Sequence, residues 1–198
     1  MSLEDLLAEV RACTVCDLPL GPRPVLSVHQ DCRILIVGQA PGSKVHASGI
    51  PWDDDSGQRL RVWLDVSDET FYDPRQIGIL PMGLCYPGRG ESGDRPPRKE
   101  CAPLWHEQLL AHLKKVELVL LVGQYAQRHM LGPRRRRTLT QTVRHWRDYG
   151  PRFLPLPHPS WRVQRWTVQH PWFEEEVVPA LRARTRAVLS QNQHRKTY

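Results

Sequence analysis

The chain lacks the features of membrane-spanning and secreted proteins. None of the apolar runs in its 198 residues is long enough to cross a bilayer, and the charged N-terminus MSLEDLLAEV shows no secretory signal. Only five cysteines are present, so a disulfide framework is not expected, and metal binding in a reducing compartment is the better interpretation. We therefore expect a cytoplasmic protein.

Internal repeats and interdomain linkers are also missing from the sequence. A chain of 198 residues is long enough to fold around one core of its own. We therefore predict a single domain over residues 1–198, and nothing in the sequence demands more than a monomer.

Acidic residues are too few to balance the basic ones, which leaves a net charge of +7 and an isoelectric point of about 9.5. Positive charge of this kind suits a polyanion, although ordinary surface charge is the alternative. Arginine guanidinium groups in exposed loops are well suited to phosphate contacts, which favours nucleic acid. The clustered arginines are Arg89, Arg95 and Arg98 in one loop, and Arg134, Arg135, Arg136 and Arg137 in a run.

Four β-rich runs are separated by amphipathic segments. The first and third runs are almost continuous Val, Ile and Leu, which is typical of strands buried on both faces of a parallel sheet. The predicted strands are residues 33–39, 76–82, 118–123 and 153–157. The predicted helices are residues 3–11, 101–114, 124–131, 138–149 and 172–189, with another that starts near residue 56. This alternation predicts a three-layer α/β domain.

The segment GQAPG, residues 38–42, directly follows the first predicted strand. Ligands of parallel sheets bind beyond the carboxyl ends of the strands, where a glycine-rich turn brings backbone N–H groups close to them. A purely structural turn is the usual explanation of such a segment, so it does not define a site alone.

The next segment, GIPWDDDSG, combines an indole with three carboxylates. Trp52 could stack on a base, and one of Asp53, Asp54 and Asp55 could orient water or stabilise positive charge. The structural alternatives are a packed tryptophan and a helix N-cap formed by Asp55 or Ser56. We expect at least one of the three aspartates to be only a cap.

The segment HPSWR, residues 158–162, follows the fourth predicted strand. His158 could donate a hydrogen bond to an oxyanion on a leaving group, and Ser160 could bind a phosphate. A lone histidine after a strand is more often structural, but its HPS context favours a functional role.

Four of the five cysteines occur in two pairs. Cys13 and Cys16 form a C-x-x-C motif, and Cys85 and Cys101 flank the loop CYPGRGESGDRPPRKEC. Four thiolates at one metal centre would join the N-terminal segment to that loop, and such a set suits either zinc or an iron–sulphur cluster. Cys32 lies outside this pattern and is interpreted as a small buried or semi-buried residue.

Together these motifs resemble the uracil-DNA glycosylase superfamily, particularly its iron–sulphur members, families 4 and 5. Those enzymes have a G-[EL]-A-P-G-like first motif, a late H-P-S motif and four cysteines in the same order. The loop from Cys85 to Cys101 is similar to their CxPPxNRxPxxxExxC segment, with Arg95, Pro96 and Glu100 at matching positions. The resemblance covers residues 3–162 and implies a Rossmann-like sheet of four parallel strands. It also implies a structural 4Fe–4S cluster on Cys13, Cys16, Cys85 and Cys101, with zinc as the alternative occupant.

The chain differs from both families at positions that carry their chemistry. Family 4 has a glutamate where this chain has Gln39, and an asparagine that reads uracil where it has Pro81. An amide cannot act as a general base at neutral pH, although it can still hydrogen-bond a base or position water. Family 5 uses an aspartate in an F-T-G-D-x-S-G segment, and Asp54 matches that aspartate when the segment is counted back from Ser56.

The resemblance implies a DNA glycosylase that hydrolyses the bond between the sugar and uracil or another deaminated base. Asp54, His158 and Gln39 would be catalytic. No lysine stands in a motif suited to a Schiff base, so we predict a monofunctional enzyme. Because DNA is the expected substrate, we also predict an association with the nucleoid. The predicted base-binding residues are Gly38, Gln39, Ala40, Trp52 and His158. The predicted DNA-binding residues are Arg89, Arg95, Arg98, Arg134, Arg135, Ser160 and Arg162.

Two other functions remain open from the sequence. One is a non-catalytic binder of damaged DNA on the same scaffold, because Gln39 and Pro81 replace two familiar polar groups. The other is a zinc-stabilised binder of free nucleotides or phosphate, with GQAPG as the anion-binding turn.

Overall fold

A parallel sheet of four strands forms the middle layer of the computed structural model, which describes residues 1–190. Its strands are β1 (Ile34–Val37), β2 (Ile77–Ile79), β5 (Leu118–Val122) and β6 (Phe153–Leu156). They lie in the order β2-β1-β5-β6, with Ile34 opposite both Ile77 and Leu118. A separate antiparallel hairpin consists of β3 (Arg89–Gly90) and β4 (Gly93–Asp94). The predicted four-stranded parallel α/β fold is therefore confirmed, whereas the hairpin was not predicted.

Alternate residues of each strand face opposite sides of the sheet, which divides the apolar core into two. Leu35 and Val37 belong to the first core, together with the helices α1 (Leu3–Arg11), α5 (Cys101–His112) and α6 (Gln124–Leu131). Ile34 and Ile36 belong to the second. The helices that contribute to the second core are α3 (Asp55–Leu64), α4 (Asp68–Tyr72), α7 (Leu139–Arg144), α8 (Val163–Gln169) and α9 (Val178–Ser190). The short helix α2 (Ser43–Ser48) follows β1.

The first helix shows how local sequence signals and packing agree. Ser2 caps α1 by accepting a hydrogen bond from the Asp5 N–H, and the Asp5 carboxylate in turn accepts one from the Ser2 N–H. Leu6 and Val10 are completely buried on the face that packs against α5. This packing places the C-x-x-C motif, which follows α1, beside the start of α5.

Two predicted helices are divided in the structure. The segment 138–149 contains α7 and then a 3-10 turn, Trp146–Tyr149, because the backbone leaves the helical conformation at His145, with φ −97° and ψ 30°. The segment 172–189 begins with a π-helical turn, Phe173–Val177, before α9. A second 3-10 turn, Gly132–Arg134, follows α6. Among the described helices, none is both long and apolar enough to cross a membrane.

Candidate functional site

The carboxyl ends of the strands open onto a cleft of about 740 Å³. The cleft lies beyond the end of β1, which has β2 as its neighbour on one side and β5 on the other. This is the usual ligand position in an open parallel sheet. Of the residues predicted for the site, the cleft is lined by Gly38, Gln39, Ala40, Trp52, Asp54, Arg89, Arg95, His158, Ser160 and Arg162. Segments that are far apart in the chain are therefore brought together around one space.

The turn after β1 is held by the neighbouring strand. The Gly38 carbonyl accepts a hydrogen bond from the Met82 N–H at 3.0 Å, and the Gln39 carbonyl accepts one from the Gly83 N–H at 2.9 Å. These bonds extend the β1–β2 pairing past the end of both strands. The backbone of Gln39 is therefore fixed, and its side-chain amide, which forms no hydrogen bond within residues 1–190, is available to a ligand in the cleft.

The Trp52 indole forms one wall of the cleft. Its Cζ2 atom lies 3.0 Å from where a Cβ atom on Gly38 would be, and its ring centroid is 5.6 Å from that of His158. Only glycine at position 38 lets the indole approach this closely. Trp52 is therefore both packed and cleft-lining, so the structural and functional interpretations of this residue are compatible.

The backbone of Trp52 depends on a glycine in the next helix. Trp52 has a positive φ of 59°, which is uncommon for a bulky residue, and its carbonyl oxygen would lie 1.8 Å from a Cβ atom on Gly57. We expect Gly57→Ala to reduce the free energy of unfolding by about 3 kcal/mol, because the loop carrying Trp52 and Asp54 must move.

Urea unfolding of the Gly57→Ala variant would measure this effect. Gln58→Ala is the matched control, since Gln58 is exposed in the same turn of α3 and its replacement should change stability by less than about 0.5 kcal/mol. Equal stability of the two variants would show that Gly57 does not hold this loop.

Asp54 has two oxygens with different surroundings. Oδ1 caps α3 by accepting a hydrogen bond from the Gly57 N–H at 2.8 Å, and Oδ2 lies 3.9 Å from where a Cβ atom on Gly42 would be. The alternative in which Asp55 or Ser56 forms this cap does not hold, because the chain turns into the helix one residue earlier. Asp55 instead pairs with Lys44 at 3.0 Å on the surface, so Asp54 is the aspartate of the three that lines the cleft.

His158 lies partly buried against Trp52 and Gly123. Burial lowers the pKa of the imidazole, and the negative charges of Asp54 and Asp94 oppose this shift without reversing it. The side chain is therefore neutral at neutral pH, and it forms no hydrogen bond to other groups within residues 1–190. A neutral imidazole can donate one N–H to a ligand without placing a full charge in the cleft.

The β3–β4 hairpin forms another part of the cleft wall. Arg89, Asp94 and Arg95 line the cleft from this hairpin, and the Arg162 guanidinium donates a hydrogen bond to the Ser92 carbonyl at 2.7 Å. The loop after β6 and the hairpin are thereby connected across the opening.

Three of the predicted DNA-binding arginines lie away from the cleft. Arg98 lies against the cysteines and pairs with Glu100 at 3.3 Å. Arg134 donates to the Asp148 carbonyl at 3.4 Å, and Arg135 donates to the backbone carbonyl of Arg136. The neighbouring Arg136 also pairs with Asp148, so the arginine run is partly engaged by the 3-10 turn at residues 146–149 and is not part of the cleft lining.

Several cleft residues were missed by the sequence analysis. Gln124 and Tyr125 follow β5, so the same argument that selected residues after β1 and β6 could have found them. Asp94 had no such signal, because it lies in an unpredicted hairpin. Trp161 is 73% exposed at the rim of the cleft, with the Arg162 guanidinium 5.2 Å from its ring centroid.

The four predicted metal ligands converge at a second place. Cys13, Cys16, Cys85 and Cys101 line one small cavity. Burial raises the pKa of the Cys101 thiol to about 11, and its Sγ atom accepts a hydrogen bond from the Leu84 N–H at 3.3 Å. Within residues 1–190, no group of three or more His, Cys, Asp or Glu side chains is arranged so that it could hold a metal ion. Cys32 is fully buried elsewhere, as predicted.

Helix α5 connects the cysteine cavity to the cleft wall through His106. This residue is 2% exposed, and its Nε2 atom hydrogen-bonds the carbonyl of Pro81, a cleft residue, at 2.9 Å. Burial lowers the pKa of His106 from 6.5 to about 4. Between these values the unfolded chain binds a proton that the folded protein does not, so stability falls as the pH falls through this window.

We expect the loss attributable to His106 to reach roughly 3 kcal/mol at pH 4. Urea unfolding at pH values from 4 to 7 would measure it, and His106→Gln, which can still donate to the Pro81 carbonyl but does not titrate, should show a weaker acid dependence than wild type. His112→Gln on the same helix should keep the wild-type slope. Identical slopes for all three proteins would contradict the assignment.

Comparison of the sequence with protein-family models gives a match over the part of the chain that forms the cleft. Residues 27–182 match the model of the Uracil DNA glycosylase superfamily. The match includes all four strands of the central sheet, every residue that lines the cleft except Val25, and Cys85 and Cys101, while Cys13 and Cys16 precede it.

Proposed function

Because the chain belongs to the uracil-DNA glycosylase superfamily, we propose that it removes uracil or another deaminated base from DNA by hydrolysing the N-glycosidic bond. The observation that supports this most directly is that Trp52, Asp54 and His158 surround one cleft at the carboxyl edge of the sheet. An indole, a carboxylate and a neutral imidazole are suited to hold a base, stabilise a sugar cation and stabilise a departing base.

Binding of the base would use the Trp52 wall and the Gln39 amide. A base can be attacked at its sugar bond only after it leaves the helix stack, and a cleft of about 740 Å³ has room for such a nucleotide. The Gln39 side chain carries a donor and an acceptor, so it can pair with the adjacent carbonyl and N–H groups of a deaminated base. This pairing would partly replace the asparagine that is absent at Pro81.

Cleavage of the bond places positive charge on the sugar and negative charge on the base. Asp54 Oδ2 would stabilise the sugar cation, while Oδ1 remains bound to the start of α3. His158 would donate a hydrogen bond to the departing base from its neutral form, which burial maintains. Water then supplies the oxygen that joins the sugar, so no covalent enzyme intermediate is needed.

The DNA backbone would contact the rim of the cleft. Arg89 and Arg95 on the hairpin and Arg162 after β6 present guanidinium groups around the opening, and Ser160 lies between the last of these and His158. Phosphate contacts of this kind position the duplex without reading its sequence. Because Arg98, Arg134 and Arg135 lie elsewhere, we assign them no phosphate contact near the extruded base.

We also propose that Cys13, Cys16, Cys85 and Cys101 hold a 4Fe–4S cluster with a structural role. The residue types match, because four thiols that line one cavity are the ligands that such clusters use. A single zinc ion would require all four sulphur atoms at about 2.3 Å from one point, whereas each iron of a cluster takes its own thiolate. The cluster would join the segment after α1 to both ends of the loop that carries the hairpin.

Incubation of the protein with oligonucleotides that contain one uracil, hypoxanthine or xanthine tests the proposed activity. We expect strand cleavage after alkali treatment for at least one of these bases, and no cleavage without alkali, because the enzyme should leave an intact abasic site. Absence of base release from all three substrates, in single and double strands, would remove the enzymatic proposal. Tight binding to the same DNA without release would instead indicate a non-catalytic binder.

A further inference from the structure

A second carboxylate faces the cleft from the hairpin wall. Asp94 Oδ2 lies 3.5 Å from where a Cβ atom on Gly42 would be, and Asp54 Oδ2 lies 3.9 Å from the same point. Both carboxylate oxygens therefore lie within 4 Å of one point beside the GQAPG turn.

The orientation of Asp94 is set by a buried phenol. Tyr86, which is 6% exposed, donates its hydroxyl to Asp94 Oδ1 at 3.2 Å. The base of the hairpin is closed by a hydrogen bond from the Arg95 N–H to the Gly88 carbonyl at 2.9 Å, and its tip is held by Arg162. With Oδ1 engaged by Tyr86, Oδ2 is the oxygen left to face the cleft.

Neither carboxylate is neutralised by a cation. Within residues 1–190, Asp54 and Asp94 take part in no ion pair, although Arg89 and Arg95 are on the same hairpin. Two unpaired negative charges that face the same space repel each other, and a positive charge between them relieves that repulsion. Positive charge that develops beside both carboxylates is therefore favoured.

We propose that Asp94 is a further catalytic residue, which aligns the attacking water and accepts its proton. This inference rests on the proposed glycosylase function. Asp94 is exposed and therefore open to water, whereas Asp54 is partly buried in the segment that carries Trp52. In inverting glycoside hydrolases a carboxylate likewise acts as the general base that activates the attacking water, although its partner protonates the leaving group.

The atoms of this step balance with water as the only co-reactant. The water oxygen forms a bond to C1′ of the sugar while the bond from C1′ to the base nitrogen breaks, and the electron pair of that bond leaves with the base. Asp94 takes the proton from the water, and the base, held by His158, is finally protonated from solvent. The products are the free base and an abasic sugar.

Asp94→Asn tests the inference, because the amide keeps the size of the side chain and can still accept from Tyr86. We expect the single-turnover rate of base release at saturating enzyme to fall roughly 10²-fold, while the Kd for DNA with an abasic site stays within about threefold. Tyr86→Phe, which only removes the orienting hydrogen bond, should show a smaller decrease in rate. Glu91→Gln is the matched control, since Glu91 lies in the same hairpin but does not line the cleft.

The outcomes distinguish this inference from the function on which it rests. If wild type releases base and Asp94→Asn does so at the same rate as Glu91→Gln, Asp94 is not catalytic while the glycosylase proposal stands. If Asp94→Asn weakens DNA binding but keeps the saturated rate, Asp94 contributes only to binding and the inference is wrong. If wild type itself releases no base, the proposed function has failed and the inference falls with it.

Discussion

Asp54→Asn should lower the single-turnover rate of base release by about 10²–10³-fold with little change in stability. The asparagine oxygen can still accept from the Gly57 N–H, and asparagine is as good an N-cap as aspartate, so α3 should begin at the same residue. What disappears is the negative charge beside the sugar, and removal of such a preorganised charge or dipole typically reduces rates by this factor. Release of base from a single-uracil oligonucleotide, followed by alkali cleavage at saturating enzyme, measures the change.

The two flanking aspartates are matched controls for this variant. Asp53 and Asp55 are exposed, carry the same charge and do not line the cleft. Asp53→Asn and Asp55→Asn should therefore release base within about twofold of wild type, and thermal unfolding should show that all three variants are folded. A rate for Asp54→Asn that is indistinguishable from these controls would mean that its carboxylate does not act on the sugar.

If the proposed iron–sulphur cluster is present, Cys101→Ser should remove it and destabilise the protein by more than about 4 kcal/mol, because loss of a structural metal centre is among the most damaging changes. Wild-type protein purified without oxygen should be brown, absorb near ~400 nm and contain iron and sulphide, and the variant should lose all three properties. Iron and sulphide analysis together with thermal unfolding measures both effects. The loss of stability is expected because the four cysteines bring together three segments. These are the segment after α1, the segment that follows β2, and the start of α5.

Cys32→Ala is the control for Cys101→Ser, because it removes a buried cysteine that is not one of the proposed cluster ligands. Cys32 is fully buried, but it packs near Gly78 of β2 and not in the four-cysteine cavity. This variant should lose only about 1–2 kcal/mol of stability and keep the iron content of wild type. Colourless wild-type protein with one zinc ion per chain, or a Cys101→Ser variant that retains its iron, would overturn the cluster proposal.

The strands and most of the long helices could be predicted from local pattern. Residues 33–39 and 118–123 are nearly continuous Val, Ile and Leu, and both contain strands of the central sheet. The helix at residues 124–131 has the predicted bounds, because a glycine precedes it and another follows it. Helix ends were less predictable, as the change from α7 to a 3-10 turn at His145 shows.

The position of the cleft followed from a simple property of parallel strands. Since all four strands run in one direction, the segments after β1 and β6 must reach the same edge of the sheet, which is why Gln39 and His158 could be assigned to one site. The arginine runs carried no comparable constraint. Charge alone does not say which loop faces the cleft, and Arg134 lies elsewhere.

The sequence by itself determined the parallel α/β fold, the edge of the sheet where the motifs meet, and the glycosylase family to which the chain belongs. Hydrophobic patterning and motif order are local properties, so one chain is enough to read them. Only the tertiary structure decided that Asp54 caps α3, that Trp52 packs over Gly38, and that Asp94 reaches the cleft. Each of these three features depends on the position of a loop. Residues that are distant in the chain hold that loop in place by packing, and no local sequence pattern encodes such packing.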